Sequence, residues 1–246
     1  MIHIQSYQYS KNRIVPMWDF GLSAQFACAQ ECKDYLLLED EETIGRDSDC
    51  LIGSVEWCSN YLKFYNYPVP SAIDLFQFQP FLQRQVKVMF VAEFLNKAGK
   101  EIPFPIFIKP HYNIKLFTGT QVLNLFDAEL VLKDIPWDTL LSVQEVIDPI
   151  QSEWRVYVNR RRILACKHYK GDSLVFPDSR VIKECVYQSL KSVENISFTL
   201  DFGVDKDGVT FLIEPNDGWA IGNYGLEPVD YLNFCIDRWK QITGKL

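Results

Sequence analysis

The sequence predicts an α+β protein with two lobes on antiparallel sheets and a small N-terminal α/β region. Strand-like alternation gives way to helical spacing twice before Tyr65. Prolines 68, 70 and 80 then break the pattern. From Arg84 onward, β-rich segments return on themselves at polar turns.

The chain has 246 residues, 48% hydrophobic and 14% aromatic, enough for a sizeable core in one domain or two small coupled ones. A net charge of -7 argues against a dominant nucleic-acid surface, which needs a local excess of Lys and Arg; the one basic cluster is 160–162. No apolar run approaches the roughly 20 residues that span a bilayer, and residues 1–9 alternate instead of forming a signal-peptide core. The expectation is a soluble cytoplasmic protein with no membrane or nucleic-acid partner, its oligomeric state open. Seven scattered cysteines suit reduced thiols. Cys28 and Cys32 stand at helical spacing without His nearby, which reads as packed thiols, not zinc ligands. Only His3, His111 and His168 are available for a triad or a His-rich metal site, so histidine chemistry is not expected.

In order, a strand is expected at 2–9, a helix at 23–33 and a strand–helix unit at 51–65, with a short solvated acidic loop at 39–42. The irregular stretch 67–80 marks a boundary between an N-terminal α/β region, 1–80, and a larger domain, 81–246. Strands at 85–90, 105–109 and 119–123 make one mixed lobe. A strand at 141–147 leads through Asp148 and Pro149 into a hairpin, 153–158 and 163–169, turning at 159–161. A helix at 179–192 follows, then strands at 196–204 and 209–216 around the turn Asp205-Lys206-Asp207-Gly208, and a last helix at 229–242.

The final hairpin carries the strongest chemical signal. With Asp205 turned onto Gly208, Asp201 falls opposite Leu212, and Glu214 becomes its diagonal neighbour, roughly 7–8 Å away on the same face. Asn216 shares that face. Hard oxygen ligands with positions left for water and phosphate are what magnesium prefers; the alternative is the exposed face of an edge hairpin. Upstream, Lys109 ends an apolar strand and can present a fixed charge to a phosphate, with Lys115 close behind. Taken singly, each also reads as an ordinary solvated charge. The loop Phe117-Thr118-Gly119-Thr120 could approach phosphates through backbone N–H groups. Gln144-Glu145-Val146 ends a strand where main-chain groups could read an adenine edge. Glu153 and Arg155 share a strand face, with Lys167 returning within reach of Glu153; a surface ion pair is the plain alternative.

Taken in order, Ile108-Lys109-Pro110, Phe117-Thr118-Gly119, Gln144-Glu145-Val146, Glu153-Trp154-Arg155-Val156, Asp201-Phe202-Gly203 and Ile213-Glu214-Pro215-Asn216 resemble the ATP-grasp superfamily over about residues 84–239. The resemblance is closest to a compact branch found in bacteria and their phages. It implies ATP between two lobes, with Lys109 and Lys115 on the phosphates and Thr118 and Gly119 in the covering loop. Gln144, Glu145 and Val146 would line the adenine, and Glu153 would hold the ribose. Mg2+ would lie on Asp201, Glu214 and Asn216, with Lys167 meeting the phosphates and Arg155 an extra catalytic cation. The implied activity is a ligase that joins a carboxylate to an amine through an acylphosphate, on a small-molecule or peptide substrate. A nucleotide-binding interaction module and a phosphotransferase are the alternatives. Many relatives carry arginine two residues before the first metal aspartate, where this chain has Thr199, so Arg155 or Arg84 is expected to supply that charge. Residues 1–80 are expected to shape the acceptor side, and 217–225 to form a loop beside the substrate.

Overall fold

The structure, a computed structural model, describes residues 1–40, 43–112 and 116–246. Strand β1 (Ile2–Ser10) buries its first half and exposes its second. It pairs antiparallel with β2 (Arg13–Pro16). After helix α1 (Asp19–Gln30), β3 (Tyr35–Leu38) and β4 (Cys50–Ile52) both join β1 in parallel. Helix α2 (Val55–Phe64) starts on Ser54, whose hydroxyl accepts from the Trp57 amide at 3.1 Å and so satisfies one otherwise unpaired donor of its first turn.

A 3-10 turn (Leu75–Phe81) leads to the second sheet. Its elements are β5 (Val86–Phe90), α3 (Val91–Lys97), β6 (Ile106–Pro110), β7 (Thr120–Val122), α4 (Leu125–Leu132) and β8 (Leu140–Glu145), with strand order β5-β8-β6-β7. The third sheet follows from β9 (Ile150–Asn159), β10 (Arg162–Gly171), α5 (Ser179–Ser192), β11 (Ser197–Asp205) and β12 (Thr210–Asp217), in the order β10-β9-β11-β12. Every pairing in these two sheets is antiparallel, as expected for the α+β class. Helix α6 (Pro228–Thr243) ends the fold. Phe234, Cys235 and Trp239 of α6 pack with Ile4, Leu51 and Cys58 in one core. A second core lies between the third sheet, α5 and the 3-10 turn, and a third between the second sheet, α3 and α4.

Several short elements depart from the expectation. Helix α1 runs four residues earlier at its start than the predicted 23–33, because its buried face is the small-residue set Gly21, Ala24, Ala27 and Cys28 and Trp18 gives no side-chain cap. Strands β2 and β3 and helices α3 and α4 were not expected. Helix α4 is apolar nearly all round, with Phe126 and Leu130 exposed, so no period marks it. Its real signal is reciprocal capping: Asn124 Oδ1 accepts from the Asp127 amide at 3.0 Å, and Asp127 Oδ2 accepts from Leu123 N and Asn124 Nδ2.

Candidate functional site

One row of side chains crosses the third sheet. Lys167 pairs with Arg155, Arg155 with Asp201, and Asp201 with Glu214, each directly across its ladder and therefore on one face. This corrects the expected register: Asp201 lies opposite Glu214, not Leu212, because a bulge at Ile213 shifts β12 by one residue. The exposed-hairpin alternative fails for Asp201, which is 2% exposed on a strand paired on both sides. Arg155 grips it through Nε and Nη2, both at 2.7 Å. Burial pushes the Asp201 carboxyl up, against the Arg155 hydrogen bonds and charge that hold it down. Burial also opposes the Arg155 charge, and Asp201 more than offsets it. The guanidinium lies 4.5 Å from the Tyr224 ring centre, and Tyr224 stacks on Tyr169.

Glu214 behaves differently. Lys109 Nζ, brought from β6, sits 2.9 Å from Glu214 Oε2. Burial works to raise the Glu214 carboxyl, and the charge and hydrogen bond of Lys109, with a hydrogen bond from Asn216, prevail and lower it. Asn216 Nδ2 reaches Asp201 Oδ2 at 3.3 Å and Glu214 Oε1 at 3.4 Å, so the three expected metal ligands do converge. Beside Asn216 in the ladder, Thr199 is fully buried and its hydroxyl has no partner among the described residues.

A cleft of about 460 Å³ separates the second and third sheets and is lined by Lys109, Gly119, Gln144, Glu145, Val146, Glu153 and Glu214. Its wall at β8 leaves the ladder after Glu145, so the main chain of Val146 faces the cleft outside the sheet. The Gln144 side chain is spent within the wall: Nε2 donates to Ser142 Oγ, and Oε1 accepts from Arg84 Nε, both at 3.0 Å. Glu145 is likewise used, its Oε2 accepting from the Gln85 amide at 2.8 Å. Gly119 lies against Lys109, since a Cβ there would stand 3.1 Å from Lys109 Cβ and 2.7 Å from the Phe107 ring. Its role is close packing over the lysine stem.

Several assignments change. Thr118 is exposed and does not line the cleft; Thr120 does. Lys115 lies outside the described residues, as do Glu41 and Glu42 of the acidic loop. Glu153 meets Lys170, at 2.5 Å, and not Lys167, because a bulge between His168 and Lys170 moves β10. Lys167 forms no ion pair among the described residues. Arg84 is not an available cation for a substrate: its guanidinium donates to the carbonyls of Leu82, Leu212 and Ile213 and ties the two sheets together. Burial lowers its pKa to about 10, with Glu214 acting the other way. No sequence signal pointed to this tie, nor to Tyr169 and Tyr224 around Arg155.

Lys109, Glu214 and Asn216 also line a second, smaller pocket of about 140 Å³ on the side of the 3-10 turn. Trp219, Ala220 and Ile221 of the expected substrate loop close it. That loop is firmly held: Tyr157 Oη donates to the Gly222 and Asn223 carbonyls, and Tyr231 Oη to Ile221 O.

A family model for an ATP-grasp domain, family 2 of its clade, matches residues 81–234. The chain belongs to this ATP-grasp family. No curated protein matches it in sequence. Among solved structures, it is similar to an ATP-grasp RimK domain protein from Sphaerobacter thermophilus DSM 20745, at 14% identity and a TM-score of 0.57, covering 96% of this chain and 98% of that one. D-alanine–D-alanine ligase from Bacillus anthracis, complexed with ATP, matches at 13% identity and a TM-score of 0.57, covering 100% and 98%. N5-carboxyaminoimidazole synthetase from Staphylococcus aureus matches at 12% and 0.60, covering 100% and 77%. At such identities the likeness is one of fold. In the ATP-grasp domain the second and third sheets are the two lobes, and the 460 Å³ cleft is the space between them. No described helix is long and apolar enough to cross a membrane.

Proposed function

We propose that this ATP-grasp chain is a ligase that uses ATP and magnesium to join a carboxylate to an amine. The observation that carries the reading is the Lys109–Glu214 pair, which stands on the wall common to the interlobe cleft and the smaller pocket. A phosphoryl group leaving a nucleotide in the first space would meet a substrate in the second at that wall.

The residues fit a hard cation. Asp201, Glu214 and Asn216 offer only oxygen donors once the amide turns its Oδ1 inward, and the unpartnered Thr199 hydroxyl beside them suits a bound water. Among the described residues no three His, Cys, Asp or Glu side chains group as a metal site, which leaves a magnesium ion dependent on phosphate oxygens for the rest of its shell. When bound, it would neutralise charge on the phosphoryl oxygens.

The chain's own groups divide the remaining work. Lys109 holds a phosphate oxygen while its stem is fixed under Gly119. Arg155 orients Asp201 through both oxygens and supplies the positive charge missing at Thr199. Lys167, opposite Arg155, offers a further cation to a phosphate or carboxylate. The main chain at Glu145 and Val146 takes the adenine edge, and Glu153 the ribose. A substrate carboxylate attacks the γ-phosphorus and ADP leaves; an amine then attacks the acyl carbon and phosphate leaves. Positioning and charge neutralisation supply most of the rate, and no side-chain nucleophile is needed.

The test is product analysis of purified protein given ATP, magnesium and mixtures of amino acids as carboxylates and amines. ADP and phosphate, formed together with an amide, are expected. AMP and pyrophosphate, or no nucleotide uptake by calorimetry with magnesium present, would overturn the reading.

A further inference from the structure

We propose that His111 takes the proton of the attacking amine, in the small pocket beyond Lys109. The proposal rests on the ligase reading above. Lys109 and His111 stand two residues apart, so their side chains leave the strand on the same side. The His111 amide donates to Leu140 O at 2.9 Å, which extends the ladder one residue past β6 and fixes the backbone there. Both side chains line the 140 Å³ pocket with Glu214 and Asn216. A cavity near 150 Å³ accepts a molecule about as large as benzene, so this space admits an amine of amino-acid size.

The imidazole is placed for such a task. Tyr112 packs on it with ring centres 4.2 Å apart, and Phe76 meets it edge-on at 6.4 Å. Its nitrogens make no hydrogen bond among the described residues. The charged groups around it are Asp74 at the start of the 3-10 turn, Lys109 on its own strand, and Glu214 on β12 across the pocket. Burial is the main influence that lowers its proton affinity, Lys109 adds to it, and Asp74 opposes both. The ring is therefore neutral at physiological pH and able to accept a proton.

The step balances. The amine lone pair forms the C–N bond, the acyl C–O bond breaks, phosphate departs with that electron pair, and the nitrogen's surplus proton passes to His111. Without an acceptor, that nitrogen would hold a positive charge beside Lys109.

A screen with standard amino acids as both carboxylate and amine identifies a pair that wild-type protein ligates, read as ADP and amide. With that pair, His111→Gln and His111→Asn are expected to make amide about 100-fold more slowly. ADP released per amide rises, because water captures the acylphosphate. The acid limb of the wild-type pH profile disappears in both variants, and hydroxylamine, which is uncharged at neutral pH, restores capture. Unchanged amide formation with an unchanged pH profile in either folded variant removes His111 as the base and leaves the ligase reading intact. Absence of ADP from wild-type protein with every pair removes both.

Discussion

The guanidinium of Arg155 holds both carboxylate oxygens of Asp201 at 2.7 Å, inside a row of charged side chains that runs across four strands from Lys167 to Glu214. Breaking that pair from one side leaves a buried carboxylate alone. Arg155→Ala is expected to cost about 3–5 kcal/mol in urea unfolding, and adding Asp201→Asn to it should recover part of the loss. A single variant that unfolds like the parent would mean Asp201 reaches water.

Glu214 is half-exposed, so its removal tests the metal more cleanly. Glu214→Gln should raise the magnesium concentration needed for nucleotide binding about tenfold, an effect of about 1.4 kcal/mol, with a thermal midpoint near the parent's. Lys109→Ala should instead raise the ATP requirement at saturating magnesium. Calorimetric titrations of both ligands distinguish the two.

Arg84 ties β12 to β8 through the Leu212 and Ile213 carbonyls and Gln144. Hydrogen bonds from a charged donor to buried carbonyls are worth about 1.5–3 kcal/mol each, so Arg84→Ala should destabilise by on the order of 3 kcal/mol. Amide exchange at residues 211–214 should accelerate with it. Faster exchange elsewhere only would refute the tie.

His3 gives a pH dependence. It is buried on β1 with Nδ1 2.7 Å from Ser48 Oγ, and burial first, then the N-terminal ammonium, lowers its pKa against the pull of Asp49. The unfolded chain takes up the proton near 6.5, so the contribution is full above that pH and is lost as pH falls through the lower folded value. His111 acts in the same direction. Urea midpoints should fall between pH of about 7.5 and about 5.5, and fall less in His3→Gln.

Thiol labelling tests the packing. Cys32 and Cys166 are exposed, whereas Cys28, Cys50, Cys58, Cys185 and Cys235 are buried. Burial raises the Cys28 thiol to about 11 and the Cys235 thiol to about 12. Two cysteines should react with iodoacetamide in the native protein and the other five only in denaturant, as counted by mass spectrometry.

Much of this was legible in the sequence because it lies in strands. Period-two alternation put Glu153 with Arg155 and Asp201 with Glu214 and Asn216 on one face, and Lys109 at a strand end that opens on the cleft. Helix α5 declared itself through its amphipathic spacing and ends where expected. What failed was register. A bulge adds one residue without a sequence mark, so both the Asp201 partner and the Glu153 partner were misassigned by a short step along the strand. Contacts between distant segments were not legible either. Nothing near Arg84 in the chain announces carbonyls some 130 residues away, as |i−j| of 128 and 129 attest. His111 was passed over because a lone histidine reads as scaffold until a cavity is seen around it.

Helix α6 has one further bearing, on the order in which the molecule can be assembled. Trp239, Phe234 and Cys235 supply interior to the first sheet, and the hydrogen bond from Asn223 to Ser23 closes a span of 200 residues. During synthesis, then, the opening segment has its strands and helices but lacks part of its oil until α6 has emerged. Its apolar faces are exposed to the cell throughout that wait, and a ribosome that stalls before Pro228 releases a chain fit for chaperones or proteases and unable to close its interior.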